Sequence, residues 1–330
     1  MVRYIAYRLV LTLVTLFLLS FAIFAIVQIP PGNAVDREVL ERQARGDIVT
    51  PEELKTLRAQ YGLDRPLLVR YCQWVEGFCT GDLGRSTSGR QVSYLVMERL
   101  PQTVALSFAS LLVTYAVAIP LGIYSATHQY SRGDYLVTSL GFVGISMPGF
   151  LVGIILVYVF HRWLGVSIGG FFSPEYRGAP WSLGRVWDLI SHLWVPLLAI
   201  TISGTGGLMR TVRAQLLDEL GKQYVMTARA KGVPWGKLVL KYPLRVALIP
   251  VVAGIAHIFP ALLSGQVVVS IVLNLPTLGP LLNTALITED VALSSSVLLI
   301  QSLLAVVGTV ISDVLLAIVD PRIRFERAAH

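Results

Sequence analysis

The chain has 330 residues, of which 54% are hydrophobic and only 14% charged, against about 25% charged in soluble domains. Its charges are segregated: long stretches hold no Asp, Glu, Lys or Arg, and a mostly apolar run of about 18 residues or more can cross a bilayer as a helix. This excludes an ordinary soluble domain, and the net charge of +7 fits basic loops at a membrane better than a nucleic-acid partner.

The first predicted span covers residues 9–29, behind Arg3 and Arg8. A signal peptide has the same order of charge and apolar run. This run is long, however, and Gln28-Ile29-Pro30-Pro31-Gly32 is no small-residue cleavage site, so it reads as a retained helix closing a first region, 1–30. Residues 31–99 form an outer segment. Within it Thr50-Pro51-Glu52-Glu53 is a helix start, with Thr as cap, Pro at the first position and Glu at the third. That helix is predicted to run to Tyr61 and stop at Gly62. A second is predicted over about 66–78, and Gly81-Asp82-Leu83-Gly84-Arg85-Ser86 reads as a turn. Together these make a small helical cap.

Cys72 and Cys79 lie in that cap, where an oxidising compartment permits a disulfide. They sit on a helical face with Tyr71, Val75 and Phe78. Positions seven apart on a straight helix are separated by roughly 10 Å, too far to bridge, so two packed thiols are expected. No His lies nearby to make a zinc site.

Residues 100–319 read as a five-helix core with spans at 100–127, 135–160, 189–209, 246–273 and 291–319, the last interrupted only by Asp313. Pro120, Pro148, Pro196, Pro250 and Pro260 perturb these helices. Gly141-x-x-Gly144 and Gly149-x-x-x-Gly153 offer close helix approach. The outer segment 165–188, with Trp163 just before it, carries Phe171, Phe172, Tyr176, Trp181 and Trp187, residues suited to an interfacial belt. The loop 210–245 has eight Lys and Arg, among them Arg210, Arg213, Lys222, Arg229 and Lys231, against Asp218 and Glu219. The loop before the last span has Glu289 and Asp290 and no base. The positive-inside rule then puts the 210–245 loop, both termini and the 320–330 tail in the cytoplasm.

Within the basic loop, residues 224–232 read as a short helix ended by Gly232, and Val233-Pro234-Trp235 restarts a second one that Pro243 ends or bends. The product is a helix–glycine–helix elbow with a small-residue face at Thr227, Ala228 and Ala230. Such a face fits a groove on a partner. A solvated amphipathic loop on anionic lipid fits equally well.

The loop resembles the coupling motif of binding-protein-dependent ABC importer permeases: Glu-Ala-Ala, three residues, Gly, nine residues, Ile, one residue, Leu-Pro. Gly232 matches its turn. Met226-Thr227-Ala228 stand on the Glu-Ala-Ala positions and Leu244-Arg245 on the Leu-Pro, both departures. Thr227-Ala228-Arg229-Ala230-Lys231-Gly232 resembles the dipeptide/oligopeptide/nickel branch. So do Arg3-Tyr4-Ile5, Tyr61-Gly62-Leu63-Asp64, Gly81-Asp82-Leu83-Gly84, Arg99-Leu100-Pro101 and the ending Asp320-Pro321-Arg322-Ile323-Arg324. The resemblance covers nearly the whole chain, and the outer segment marks the member of the permease pair with the larger one. It implies an all-α membrane protein of about six transmembrane helices with a cytoplasmic coupling-helix elbow and an outer helical cap, in a bacterial or archaeal inner membrane.

The partners implied are a homologous second permease subunit, two ATPase subunits or domains, an external substrate-binding protein and the lipid bilayer, with no nucleic acid. ATP and Mg belong to the ATPase partners: this chain has no Gly-x-x-x-x-Gly-Lys-Ser/Thr loop and is expected to be no enzyme and to bind no cofactor or metal. Contact with the ATPase falls to Thr227, Ala228, Ala230, Lys231, Gly232 and Val233. Gln266 and Ser270 share a helical face at membrane depth and are candidates for the pathway, with helix-to-helix adhesion as the competing reading. Asp313, an intramembrane acid, is a third candidate, with pairing to a neighbour as its competing reading.

The branch often has an acid where Ser270 stands. An uncharged residue there, beside an aromatic outer segment, makes oligosaccharide an alternative to di- and oligopeptide cargo. An intramembrane enzyme is the rival class, but neither His-Glu-x-x-His nor Gly-x-Ser-x-Gly occurs. His257 reads as a hydrogen-bonded core residue, and a channel lacks a charged ring or filter motif.

Overall fold

The computed structural model describes residues 2–28, 35, 39, 42–47, 49–60, 64–165 and 169–319. Tyr61 to Leu63, where the first cap helix was expected to stop, and the 320–330 tail lie outside them. The helices are α1 (Val2–Gln28), α2 (Pro51–Gln60), α3 (Leu67–Thr80), α4 (Val92–Thr127), α5 (Arg132–Ser146), α6 (Gly149–Leu164), α7 (Leu183–Leu220), α8 (Gln223–Ala230), α9 (Trp235–Lys241), α10 (Pro243–Ala253), α11 (Ile255–Val272), α12 (Leu278–Ile287) and α13 (Val291–Val319). Among the described residues five are long and apolar enough to cross a membrane, or six if α5 and α6, bent by 100° at their junction, count as one span.

Local chemistry explains the breaks. Pro148 has no N–H and pushes the preceding Met147 to extended backbone (φ −96°, ψ 125°), so the single span expected over 135–160 is two helices. The span expected over 246–273 is also two, α10 and α11, meeting at Gly254. Pro243 opens α10 at its first turn, where its missing N–H costs nothing. The capping box at α2 is present: the Thr50 N–H donates to Glu53 Oε2 (3.0 Å) and the Glu53 N–H to Thr50 Oγ1 (3.3 Å). The 81–86 turn has Gly81 and Gly84 at φ +80°.

The chain divides into two compact units. The first is built around Val104–Pro276, with α7 packed on α5, α6, α10 and α11. Here α5 and α7 touch backbone to backbone: a methyl on Gly206 would lie 2.5 Å from the Gly141 carbonyl oxygen, and one on Gly144 would lie 2.9 Å from that of Ile202. Gly122 of α4 approaches α7 as closely, where a Cβ would lie 2.6 Å from the Val212 side chain. The expected role of Gly141 and Gly144 holds.

The second unit comprises Val10–Thr103 and Thr277–Leu304. One apolar cluster joins Val92, Leu95 and Val96 of α4 to Leu278, Leu281 and Ala285 of α12 and Val297 of α13. In a second, α3 lies on α1 through Tyr71, whose ring meets Phe21 and Phe24 edge-on and whose hydroxyl pairs with Ser20 Oγ at 2.8 Å. This corrects the expected face of α3. The buried stripe is Tyr71 with half-buried Trp74, Val75 and Phe78, spaced i, i+3, i+4 and i+7. Cys72 and Cys79 are free as expected, but exposed rather than packed. His257 is likewise exposed near the start of α11, not in the core.

Candidate functional site

The elbow is built as its residues demand. Helix α8 follows an extended Lys222 (φ −75°, ψ 149°). It ends where Gly232 takes φ +77°, its N–H bonded to the Arg229 carbonyl at 3.0 Å. The Val233 N–H returns to the Ala228 carbonyl (3.3 Å), so two otherwise open carbonyls of the last turn are satisfied. A Cβ on Gly232 would meet nothing within 4 Å. Its constraint is backbone conformation and not space. Pro234 then precedes α9, and the Arg229 guanidinium lies 5.8 Å from the Trp235 ring, linking the two arms.

The inner side of the elbow is anchored in its own chain. Val225 and Ala228 of α8 pack with Leu238 and Val239 of α9, Leu244 and Ala247 of α10, Leu216 of α7 and Ala126 of α4, with Val233 against the same cluster. Ala228 is therefore removed from the face expected to meet a partner. What remains outward is Thr227, Arg229, Ala230, Lys231 and Gly232, bordered by Tyr224, Met226 and Trp235, of which Met226 is 57% exposed. The Tyr224 hydroxyl donates to Glu219 Oε2 (2.5 Å). Partial burial and the neighbouring carboxylate hold its pKa well above the usual phenol value. The surface is a basic ridge with apolar side chains at its edges.

The three residues expected at the pathway are engaged within the chain itself. Gln266 is 1% exposed and its Oε1 accepts a hydrogen bond from Ser107 Oγ of α4 at 3.0 Å. Ser270 is fully buried. Their face of α11 points into the protein because Leu262, Leu263 and Val269 beside it fill the core. The outward face carries Ala261, Ser264, Gly265, Val268 and Ile271. Gln266 thus joins helices, as the competing reading had it. Asp313 pairs with Arg8 of α1, so the intramembrane acid is neutralised within the chain.

Other polar centres were missed, two of them at Asp134 and Asp290. Asp134, 3% exposed, gathers Ser125, Tyr130, Thr138 and Arg213. Ser131-x-x-Asp134 is a helix-start signature that could have pointed to it: Ser131 caps α5 by accepting from the Asp134 N–H at 3.1 Å. Asp290, 1% exposed, holds Ser86, Thr87 and the first turn of α13. Nothing local marks Ser86 and Thr87, which lie 204 and 203 positions away.

Comparison with known proteins decides what carries this elbow. Residues 118–325 match the family described as binding-protein-dependent transport system inner membrane component, and residues 1–107 match the N-terminal part of such membrane components. The chain belongs to this family. As one of these permeases it is 32% identical over 327 residues to the oligopeptide transport system permease protein AppB of Bacillus subtilis, covering 98% of this chain and all of that one. It is 28% identical to the oligopeptide transport system permease protein OppB of Haemophilus influenzae, over 98% of this chain and all of that one. Inward-facing MetNI methionine ABC transporter shares the permease fold, with a TM-score of 0.55 at 15% identity over 69% of this chain and 97% of that one. The chain is a multi-pass ABC importer permease.

Proposed function

We propose that this permease forms half of the transmembrane pathway of an ATP-driven importer of di- and oligopeptides. The peptide assignment rests on relatives named for oligopeptide transport that align end to end with this chain. In this reading a homologous second permease completes the pathway, and an external binding protein delivers the cargo. Two ATPase subunits or domains hold ATP and Mg and dock on the elbow. Both termini and Lys231 face the cytoplasm, in keeping with the basic 210–245 loop.

One observation carries the coupling role. The elbow is anchored on its inner side by Val225, Ala228, Leu238 and Val239, while its outer ridge of Thr227, Ala230 and Lys231 is left uncovered. A push on that ridge reaches α7, α4 and α10 through packed side chains. ATP-driven closure of the ATPase pair would draw the two elbows together and open the pathway outward, and release would reset it.

The test is the intact importer, purified through this chain and reconstituted with its binding protein. ATP hydrolysis should rise with peptide-loaded binding protein and not with oligosaccharide. Gly232→Val must put a β-branched residue at φ +77°, at a cost of about 1–2 kcal/mol in local backbone energy. It should uncouple transport from hydrolysis, whereas Gly232→Asn, which tolerates that backbone, should keep most coupling. Normal peptide-stimulated hydrolysis and uptake in Gly232→Val would defeat the coupling role of the elbow.

A further inference from the structure

The Asp134 cluster has no part in the elbow's outer surface, yet it adjoins the elbow's base on two helices. Ser125 on α4 donates to Asp134 Oδ1, and its neighbour Ala126 packs in the elbow cluster. Arg213 on α7 donates from Nη2 to Asp134 Oδ2 (3.1 Å) and from Nε to Oδ1 (3.3 Å). Less than one turn further along, Leu216 is fully buried against Val225 and Ala228. The carboxylate also accepts from the Tyr130 N–H (2.9 Å) and Thr138 Oγ1 (3.2 Å), and holds Tyr130 at φ +62°. A two-pronged ion pair of this kind fixes orientation as well as distance, and a buried one tolerates the loss of a partner badly.

We propose that Asp134 and Arg213 are positioning residues of the transport cycle: their ion pair makes the elbow-bearing end of α7 move as one body with α4 and α5. The proposal rests on the elbow being the ATPase contact. Without the pair, the end of α7 and the start of α5 are joined chiefly by apolar contacts. Packing alone has no directional bond to fix the register of the two helices there, so part of an elbow displacement would be lost before reaching the α5–α6 bend. The glycine contacts at Gly141, Gly144 and Gly206 lie deeper along the same helix pair and are untouched by changes at Arg213.

The experiment measures labelled peptide taken up per ATP hydrolysed, using a tryptic peptide pool and the reconstituted importer. Arg213 is partly exposed, so Arg213→Gln should assemble. It should lower that ratio by about tenfold while hydrolysis continues. Arg213→Lys keeps the charge but loses the fork and should fall in between. An unchanged ratio in Arg213→Gln overturns the proposal, as does parallel loss of uptake and hydrolysis. Failure of even Arg213→Lys to assemble would make the pair a folding determinant only and overturns it too. Gly232→Val separates the two levels. If it uncouples and Arg213→Gln does not, the pair is idle and the elbow reading stands. If it leaves coupling intact, the elbow reading itself fails.

Discussion

Two of the buried carboxylates, one from each unit, meet the same problem in different ways. Asp290 is satisfied by neutral donors: Ser86 Oγ at 2.5 Å, the Thr87 N–H at 2.9 Å, Thr87 Oγ1 at 3.2 Å and the Leu293 N–H at 3.0 Å. Asp134 has comparable neutral donors and a guanidinium besides. The first needs only a folded loop and the positive end of a helix, so it fastens two pieces of chain that have no reason to part. The second depends on a cation from another helix, and therefore reports on where that helix is. A carboxylate met by backbone and hydroxyls is a fastener. One met by a distant cation can also transmit.

The largest effect expected from breaking this contrast is Asp290→Ala, which orphans donors in a buried site at a cost of about 3 kcal/mol or more. Thermal unfolding of the detergent-purified chain should show it, together with proteolytic opening near Ser86. Milder substitutions sharpen the contrast. Asp290→Asn keeps one acceptor oxygen for Ser86 and Thr87 and should cost about 1 kcal/mol. Asp134→Asn leaves Arg213 without its counter-charge and should cost about 3 kcal/mol. Equal costs for the two Asn variants would erase the distinction.

The smallest effect concerns a third carboxylate, Glu53, which makes similar bonds at the surface. Accepting from the Thr50 N–H and hydroxyl holds its pKa below the usual carboxylate value. A depressed folded pKa means that the capping box stabilises α2 above the unfolded value and is lost as pH falls through the folded one. Amide exchange at the start of α2 should therefore speed up at acid pH, and Glu53→Gln should flatten that dependence. No such change in wild type would show that the box is idle in water.

Much of the architecture was legible because its causes are local. Apolar runs gave the spans, Thr50 and Glu53 gave α2, and Gly232 with Pro234 gave both arms of the elbow. The failures arise where the cause is remote. Gln266 and Ser270 do share a face, but only the position of Ser107, 159 residues earlier, shows that this face turns inward. Ala228 is small, as a partner groove would require, yet Leu216 and Leu238 already cover it. Pro148 was read only as a perturbation of one span over 135–160, and neither the α5–α6 break nor its 100° angle followed from that, since tertiary packing fixes where the chain goes after a proline. Cys72 and Cys79 were misplaced by one step around α3, because apolar character alone did not reveal that the aromatic residues would take the buried stripe.

Helix α7 has 38 residues and so measures about 57 Å from end to end, close to twice the roughly 30 Å thickness of the hydrocarbon layer. Such a rod magnifies small rotations. Turning about its midpoint by about 5° carries each end through roughly 2.5 Å, comparable with the helix shifts that switch subunit interfaces elsewhere. Pro196 sits in the far half of the rod, leaving its hydrogen-bond ladder weakest there and unbroken by proline from Leu197 to Leu220. The half without proline is the one that carries Arg213 and ends at the elbow.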